Sequence, residues 1–290
     1  MKKRKGIILA GGKGTRLYPT TRSISKQLLP IYDKPMIYYP MSALMLAGIN
    51  EILIISTPQD YDSFKRLLGN GSNLGLNLQY AIQETPNGLA QALVIGEEFI
   101  GHDDICLILG DNFLFGHGLG DMLSSISQHS GCTIFGYHVD NPSAFGVVEF
   151  NNNKEIVSIE EKPVLPKSNY AIAGLYFFDN GAVQVAKNVN LSQRGEYEIT
   201  SVIEYYFDNK KLNLSLFPRG YTWLDTGTPD NLLEAATFVH IMEKRQGYKI
   251  ACLEEISYNN SWLSTQKLKE IIQKNPCNQY NQYLEHLIKQ

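Results

Sequence analysis

The chain has 290 residues, of which 43% are hydrophobic and 19% are charged, a composition typical of a globular protein. This length is enough for one large α/β domain or two smaller ones with a sizeable buried core. The formal net charge of −3 argues against a nucleic-acid partner, because nucleic-acid binders usually carry an excess of basic residues.

Membrane insertion and export are not favoured by the sequence. No apolar stretch approaches the roughly 18 residues of a transmembrane helix, so we expect no membrane partner. The basic start Met1–Lys5 resembles that of a signal peptide, but the apolar run after it ends at Gly11. The four cysteines show neither a CxxC spacing nor clustered histidines, which indicates a reducing, cytoplasmic location. They are Cys106, Cys132, Cys252 and Cys277.

The first half of the chain alternates between strand and helix patterns. A helix is predicted over Met36–Ala47, where Pro40 should kink the helix or mark its true start, and another begins at Thr57 and ends at Gly69. Alternation of this kind predicts a Rossmann-like, doubly wound α/β sheet. Its strands, several of them apolar on both faces, are predicted at Ile7–Ala10, Ile52–Ser56, Leu78–Ile82, Ile105–Leu109 and Thr133–Tyr137.

Beyond about residue 140 strands predominate, which predicts a smaller added β region of mixed pairing. Thr228 and Pro229 then start a helix that should run to about Lys244. Residues 250–290 are polar and rich in tyrosine, and predict two short helices. The later strands are predicted at Gly146–Phe150, Ile156–Glu160, Leu175–Phe178 and Leu212–Phe217.

A glycine-rich loop, Gly11–Arg16, follows the first strand directly. Its main-chain amides, together with Lys13 and Arg16, form a cradle suited to a phosphate group. The spacing matches neither GxxxxGK[ST] nor GxGxxG, which disfavours a P-loop and a dinucleotide-binding dehydrogenase. A tight turn without a ligand remains the alternative at this point.

Other segments each allow a chemical and an ordinary interpretation. Asp111 follows a strand at the edge where α/β sheets bind ligands, so it is placed either for Mg²⁺ or for a simple turn. Asp225 precedes a predicted helix and has the same two interpretations. Glu160–Pro163 and Ser25–Pro30 present cations that could equally be solvated surface charges. Arg194–Thr200 is compatible with an ordinary loop leading into a helix.

Together, in this order and spacing, the segments resemble the sugar-phosphate nucleotidyltransferases, and among them the glucose-1-phosphate thymidylyltransferases. The signature GGxGTRLxP occupies Gly11–Pro19, and further motifs match over nearly the whole chain. These motifs are Ser25–Pro30, Tyr32–Pro40, Gly88–Ala92, Leu109–Asn112, Glu160–Pro163 and Trp223–Thr228.

The resemblance implies that α-D-glucose 1-phosphate and dTTP give dTDP-glucose and pyrophosphate, the first step of dTDP-deoxysugar synthesis. It implies Arg16, Lys26 and Lys162 as catalytic cations, and Asp111 and Asp225 as ligands of Mg²⁺. The residues implied to bind the nucleotide are Leu9, Gly11, Gly12, Gly14, Thr15, Arg16, Gln27, Gln83, Gly88 and Asp111. Those implied to bind the sugar phosphate are Asn112, Gly146, Glu161, Lys162 and Ile172.

The resemblance also implies a nucleotidyltransferase domain over residues 1–245, with a nucleotide part to about 140 and a sugar part over about 141–228. Residues 246–290 would then be a helical segment for oligomerisation, as a homotetramer, and for regulation. There Leu253 and Asn259 depart from the family pattern, and because of Asn259 we expect weakened or altered feedback by dTDP-rhamnose.

Two alternatives remain open from the sequence. The same chemistry with UTP or another sugar 1-phosphate is compatible with every motif. A catalytically silent, regulatory subunit that only binds nucleotide sugars is the second, although it would not need to keep Arg16, Asp111, Lys162 and Asp225 together.

Overall fold

The computed structural model describes residues 3–274 and 278–289, so Cys277 lies outside the described residues. The described chain contains thirteen strands. These are β1 (Arg4–Ala10), β2 (Pro30–Ile31), β3 (Lys34–Pro35), β4 (Glu51–Ser56), β5 (Asn77–Ile82), β6 (Asp104–Leu109), β7 (Asn112–Phe115), β8 (Cys132–His138), β9 (Gly146–Phe150), β10 (Ile156–Glu161), β11 (Tyr170–Phe178), β12 (Leu212–Leu216) and β13 (Thr222–Asp225).

Nine of these strands form one central sheet, in the order β10-β9-β11-β6-β1-β4-β5, with β8 pairing β11 and β12. β1 lies parallel between β4 and β6, so that Ile8 is opposite both Ile54 and Ile108. β11 pairs antiparallel with β6, which makes the sheet mixed. The parallel pairing of β1 with β4 and β6 confirms the predicted parallel core. Strands that are apolar on both faces also need a covering layer on each side of the sheet.

The sheet is covered by helices on both faces. The described helices are α1 (Tyr38–Leu46), α2 (Tyr61–Leu68), α3 (Gln91–Ile95), α4 (Glu97–Ile100), α5 (Leu119–Ile126), α6 (Ala182–Lys187), α7 (Ile199–Asp208), α8 (Pro229–Gln246), α9 (Leu253–Asn259), α10 (Thr265–Lys274) and α11 (Gln279–Lys289). Ile8 packs on one side with residues of α1, α5 and α9, and Ile7 packs on the other with residues of α3, α4, α6 and α7.

Several helix ends differ from the prediction for local reasons. α1 begins at Tyr38, so Pro40 lies in the first turn, where its missing amide costs no internal hydrogen bond. α2 begins at Tyr61 rather than Thr57, because the Thr57 hydroxyl donates to Asp60 (2.8 Å) and closes a turn first. The start of α8 is as predicted, with the Thr228 hydroxyl accepting from the Asn231 amide (3.2 Å).

The strands after residue 140 mostly extend the central sheet: β9 to β12 all pair within it. Two smaller antiparallel sheets lie outside it, one joining β13 to β7 and one joining β2 to β3. Three C-terminal helices are found instead of two. Over residues 3–274 and 278–289, no helix has both the length and the apolar character needed to span a bilayer.

A buried ion network joins the β2–β3 hairpin to the end of α8. Lys34 is 2% exposed and contacts Asp33 and Glu243, the latter at 3.0 Å. Lys249 lies 2.5 Å from Asp33 and 2.6 Å from Glu243. Burial alone would raise the pKa of Asp33, but the two lysines hold it below its ordinary value. The hairpin next to Lys26 is thereby fixed to the C-terminal part of the chain.

Replacing Lys34 by Met should lower the free energy of unfolding by about 3 kcal/mol, because buried carboxylates lose a partner. Unfolding in urea measures this change. Lys267→Met, which removes an exposed ion pair with Glu270, is the control and should change it by less than about 1 kcal/mol. Equal effects of the two substitutions would show that the Lys34 network contributes no special stability.

Candidate active site

A cleft of about 720 Å³ opens at the carboxyl ends of β1 and β6. Loops that follow parallel strands meet at one sheet edge, which is where open α/β sheets bind ligands. Ten of the residues predicted for the site line this cleft: Thr15, Arg16, Lys26, Asp111, Asn112, Gly146, Glu161, Lys162, Ile172 and Asp225.

The glycine-rich loop forms the rim beside β1. Gly12 and Gly14 have φ of 103° and 57°, a backbone region that disfavours any side chain. The Thr21 hydroxyl donates to the Gly14 carbonyl (2.8 Å) and holds the loop. Gly12 and Lys13 face a neighbouring cavity of about 350 Å³, and Lys26 lines both spaces.

Lys26 and Asp111 form an ion pair at the floor of the cleft, with both side chains largely buried. Burial on its own would raise the pKa of Asp111, but the Lys26 ammonium holds it below its ordinary value. Asp111 is therefore a carboxylate at neutral pH, and Lys26 is directed into the site rather than into solvent.

The second carboxylate is brought to the same place by the β7–β13 pair. Asp225 lies opposite Asn112 in this register, and the Thr226 amide and hydroxyl donate to the Asp111 carbonyl at 3.1 and 2.8 Å. Burial and the neighbouring Asp111 charge raise the pKa of Asp225. Two neighbouring buried carboxylates of this kind supply oxygen ligands suited to a divalent cation.

Arg16 reaches across the cleft mouth towards Asp225, with 3.8 Å between guanidinium and carboxylate. Its side chain is 59% exposed, so this contact is weak and leaves the cation available. A Cβ atom on Gly227 would lie 2.5 Å from the Arg16 Nη2, so the glycine permits this position.

Asn112 is held by hydrogen bonds in the lining of the cleft. Its side-chain oxygen accepts from the Gly174 amide (3.0 Å) and the Trp223 indole (2.6 Å). Its amide nitrogen is thereby directed towards Asp111, at 3.4 Å. Because its acceptor is used inside the protein, Asn112 can offer a ligand only its donor group.

Lys162 also lines the cleft and directly follows the end of β10. Its φ of 43° is unusual for a residue with a side chain, and its amide donates to the Phe145 carbonyl (3.0 Å). A Cβ on Gly146 would lie 3.4 Å from Glu161 Oε2 and 3.5 Å from Ile172 Cδ1, so these side chains border one small space.

Other predicted nucleotide-binding residues lie behind the loop rather than in the cleft lining. Gln27 accepts from the Ser25 hydroxyl (2.6 Å) and donates to the Gly11 carbonyl (3.4 Å). Gln83 donates to the Gly88 carbonyl (3.3 Å) and to Gln91 (2.7 Å). Gln27, Gln83 and Leu9 are all buried, and Gly11 and Gly88 lie beside the two glutamines. The structure therefore gives these side chains partners within the protein.

Four polar residues of the Arg194–Thr200 segment, whose sequence is equally compatible with an ordinary loop, also line the cleft: Arg194, Glu196, Glu198 and Thr200. Arg194 lies within 3.1–3.4 Å of Glu161, Glu196 and Glu198, and the Thr200 hydroxyl donates to Glu161. The sequence signal for these residues is an arginine followed by two acidic residues just before a helix. Ordinary loops show the same pattern, so the signal does not identify a site.

The segment carrying these residues is joined to the nucleotide side by main-chain contacts. The Tyr197 amide donates to the Asn87 carbonyl (2.7 Å), and the Ala90 amide donates to the Tyr197 carbonyl (3.0 Å). A Cβ on Gly88, where φ is 120°, would lie 2.4 Å from the Tyr197 oxygen. Glycine at position 88 thus allows the two walls of the cleft to meet.

The sequence profile of the family described as Nucleotidyl transferase matches residues 5–241. The chain belongs to this nucleotidyl transferase family. It is 56% identical to a glucose-1-phosphate thymidylyltransferase of Neisseria meningitidis over 98% of this chain and 99% of the relative. It is 52% identical to one of Mycobacterium tuberculosis, with the same coverage.

Solved structures show the same nucleotidyl transferase architecture. One is a putative glucose-1-phosphate thymidylyltransferase from Bacillus anthracis in complex with a sucrose, with a TM-score of 0.75 and 36% identity over 81% of this chain and 94% of that chain. A UDP-glucose pyrophosphorylase complexed with UDP-glucose has a TM-score of 0.72 at 24% identity, over 83% and 100%, and shares the fold.

A second cleft of the nucleotidyl transferase, of about 350 Å³, lies between α1, α5 and α9. Asn259 lines it at the end of α9, and Leu253 is buried in the same helix. The weakened feedback expected from these two residues stays a prediction.

Gly227→Ala should displace Arg16 from Asp225, because the added Cβ would lie 2.5 Å from the guanidinium. We expect the affinity for dTTP to fall about tenfold, measured by titration calorimetry. Gly120→Ala is the control, since its Cβ meets nothing closer than 3.5 Å. Unchanged dTTP affinity in Gly227→Ala would contradict the expectation that Arg16 binds the nucleotide.

Proposed function

We propose that this enzyme transfers a thymidylyl group from dTTP to α-D-glucose 1-phosphate, giving dTDP-glucose and pyrophosphate. The observation that carries the proposal is one cleft lined by two carboxylates, Asp111 and Asp225, and by three cations, Arg16, Lys26 and Lys162. A triphosphate and a sugar phosphate both need cations, and this cleft supplies several. The names of the relatives support thymidine and glucose as the specific groups.

At the nucleotide end, the residues present fit a Mg²⁺ ion. Asp111 and Asp225 would hold it, and the ion would neutralise charge on the α-phosphate and orient it. The amides of Gly11–Gly14, with Thr15 and Arg16, bind the triphosphate. Lys26 is kept in the cleft by Asp111 and stabilises the negative charge on the phosphates.

At the sugar end, Lys162 binds the phosphate of glucose 1-phosphate, while Asn112, Gly146, Glu161 and Ile172 border the sugar. A phosphate oxygen of the sugar attacks the α-phosphorus of dTTP in line. The bond between the α-phosphorus and the bridging oxygen breaks, and pyrophosphate leaves with that electron pair. Because no group of the protein is covalently modified, positioning and charge neutralisation supply the catalysis.

The pyrimidine would lie against the wall formed by Leu9, Gln27, Gln83 and Gly88. Both glutamine side chains already have hydrogen-bond partners in the protein. Recognition of the base therefore needs either main-chain groups or the replacement of these hydrogen bonds by bonds to the base. Release of pyrophosphate with glucose 1-phosphate across dTTP, UTP, CTP, GTP and ATP tests the proposal. Strong preference for UTP would show that the enzyme transfers a uridylyl rather than a thymidylyl group. No release of pyrophosphate with any nucleotide would refute the proposed reaction.

The organisation expected from the sequence belongs to the same proposal. Residues 1–245 would form the catalytic domain, with a nucleotide part to about 140 and a sugar part over 141–228. Residues 246–290 would serve oligomerisation as a homotetramer. A cytoplasmic location agrees with Cys106, Cys132 and Cys252, which are buried free thiols.

Lys162→Ala should lower kcat/KM for glucose 1-phosphate by about 10²-fold or more, because a cation facing the sugar phosphate is lost. Steady-state release of pyrophosphate measures it. The control is Lys167→Ala, which removes an exposed lysine that pairs only with Glu160 among the described residues. Near-normal turnover of Lys162→Ala would remove this residue from the mechanism.

Asp225→Asn should raise the Mg²⁺ concentration needed for half-maximal activity and lower kcat by about 10²-fold, since one of two anionic oxygen ligands is lost. A titration of activity with Mg²⁺ measures both quantities. Asp208→Asn removes an exposed carboxylate of α7 and serves as control. If the metal requirement is the same in both variants, Asp225 is not a ligand.

A further inference from the structure

Arg194 lies in the cleft among three carboxylates. Its guanidinium is 3.3 Å from Glu161, 3.1 Å from Glu196 and 3.4 Å from Glu198. It lines the same cleft as Lys162, and Glu161 contacts both cations, at 3.3 Å from Arg194 and 3.9 Å from Lys162. Because the carboxylates outnumber this guanidinium, its direction depends on which of them holds it.

The three carboxylates are not equivalent. The Glu196 side chain is 39% exposed, so solvent screens its attraction for Arg194. Glu161 also accepts from the Thr200 hydroxyl, lies 3.9 Å from Lys162, and borders the sugar space. The Glu198 side chain is only 8% exposed, and therefore keeps its contact under the least screening.

Glu198 also holds the backbone that carries Arg194. It accepts from the Ser192 hydroxyl (2.9 Å), and the Ser192 oxygen in turn accepts from the Arg194 amide (3.2 Å). The loop closes on itself between Ser192 and Glu196, whose main-chain groups bond at 2.9 Å. Since Glu198 directly precedes α7, this loop is anchored to a helix at its end.

We propose that Glu198 is a positioning residue that directs the Arg194 guanidinium at the phosphate of the sugar phosphate, beside Lys162. The proposal rests on the proposed function. When a sugar hydroxyl engages Glu161, that carboxylate is shared and Glu198 remains to hold Arg194. A guanidinium held in this way presents paired donors to phosphate oxygens, whereas a free one would turn to solvent.

Glu198→Gln keeps the shape of the side chain and its bond from Ser192 but removes the charge. We expect the KM for glucose 1-phosphate to rise about tenfold, with kcat and the KM for dTTP within about twofold of the original enzyme. Glu196→Gln is the matched control, and should change each constant by less than about twofold. Thermal unfolding of both variants checks that the fold is retained.

A double-substitution cycle separates positioning from a general structural role. If Glu198 acts through Arg194, then Arg194→Gln and the Arg194→Gln, Glu198→Gln double variant have the same KM for glucose 1-phosphate. Additive effects, an equal rise in both KM values, or Glu198→Gln behaving like Glu196→Gln would overturn the proposal.

A measurement without turnover separates this proposal from the proposed function. Phenylglyoxal modifies free guanidinium groups, and peptide mass spectrometry follows the modification at Arg194. We expect modification several-fold faster in Glu198→Gln than in Glu196→Gln, and equal rates would refute positioning by Glu198. Absence of pyrophosphate release in the unsubstituted enzyme would instead refute the proposed function, while the modification rates still decide how Arg194 is held.

Discussion

The parallel pairing of β1 with β6 is the constraint on which the site depends. It places the glycine-rich loop after Ala10 and the Asp111 loop after Leu109 at the same edge of the sheet. Lys26 and Asp111 then form their ion pair across this edge, and the β7–β13 pair adds Asp225. Residues about a hundred positions apart are held together by main-chain hydrogen bonds in the core.

The charges of the cleft are arranged for anionic substrates without accumulating unpaired cations. Lys26 is neutralised by Asp111, Arg16 is close to Asp225, and Arg194 lies among three glutamates. Each of these three cations thus has a protein carboxylate within 4 Å before a ligand arrives. Electrostatic stabilisation of this preorganised kind needs little rearrangement during the reaction, which suits a transfer between two phosphate groups.

Prediction from the sequence succeeded where local patterns decide the structure. The buried strands, Pro40 in the first turn of α1 and the Thr228 cap of α8 all follow from short-range rules. It was less accurate where two side chains bond to each other, as Thr57 and Asp60 do before α2, and where partners are distant. The three carboxylates around Arg194 belong to this second group, since Glu161 comes from another strand.

The amino-acid sequence alone determined the layered α/β class, the phosphate-suited loop and the resemblance to a family, because periodicity, glycine spacing and motif order are local. Only the tertiary structure decided which charges meet. It brought Lys26, Asp111, Asp225 and Lys162 into one cleft and put Gln27 and Gln83 behind it. Long-range strand pairing and burial set these distances. Local sequence patterns do not determine them, because the residues concerned lie far apart in the chain.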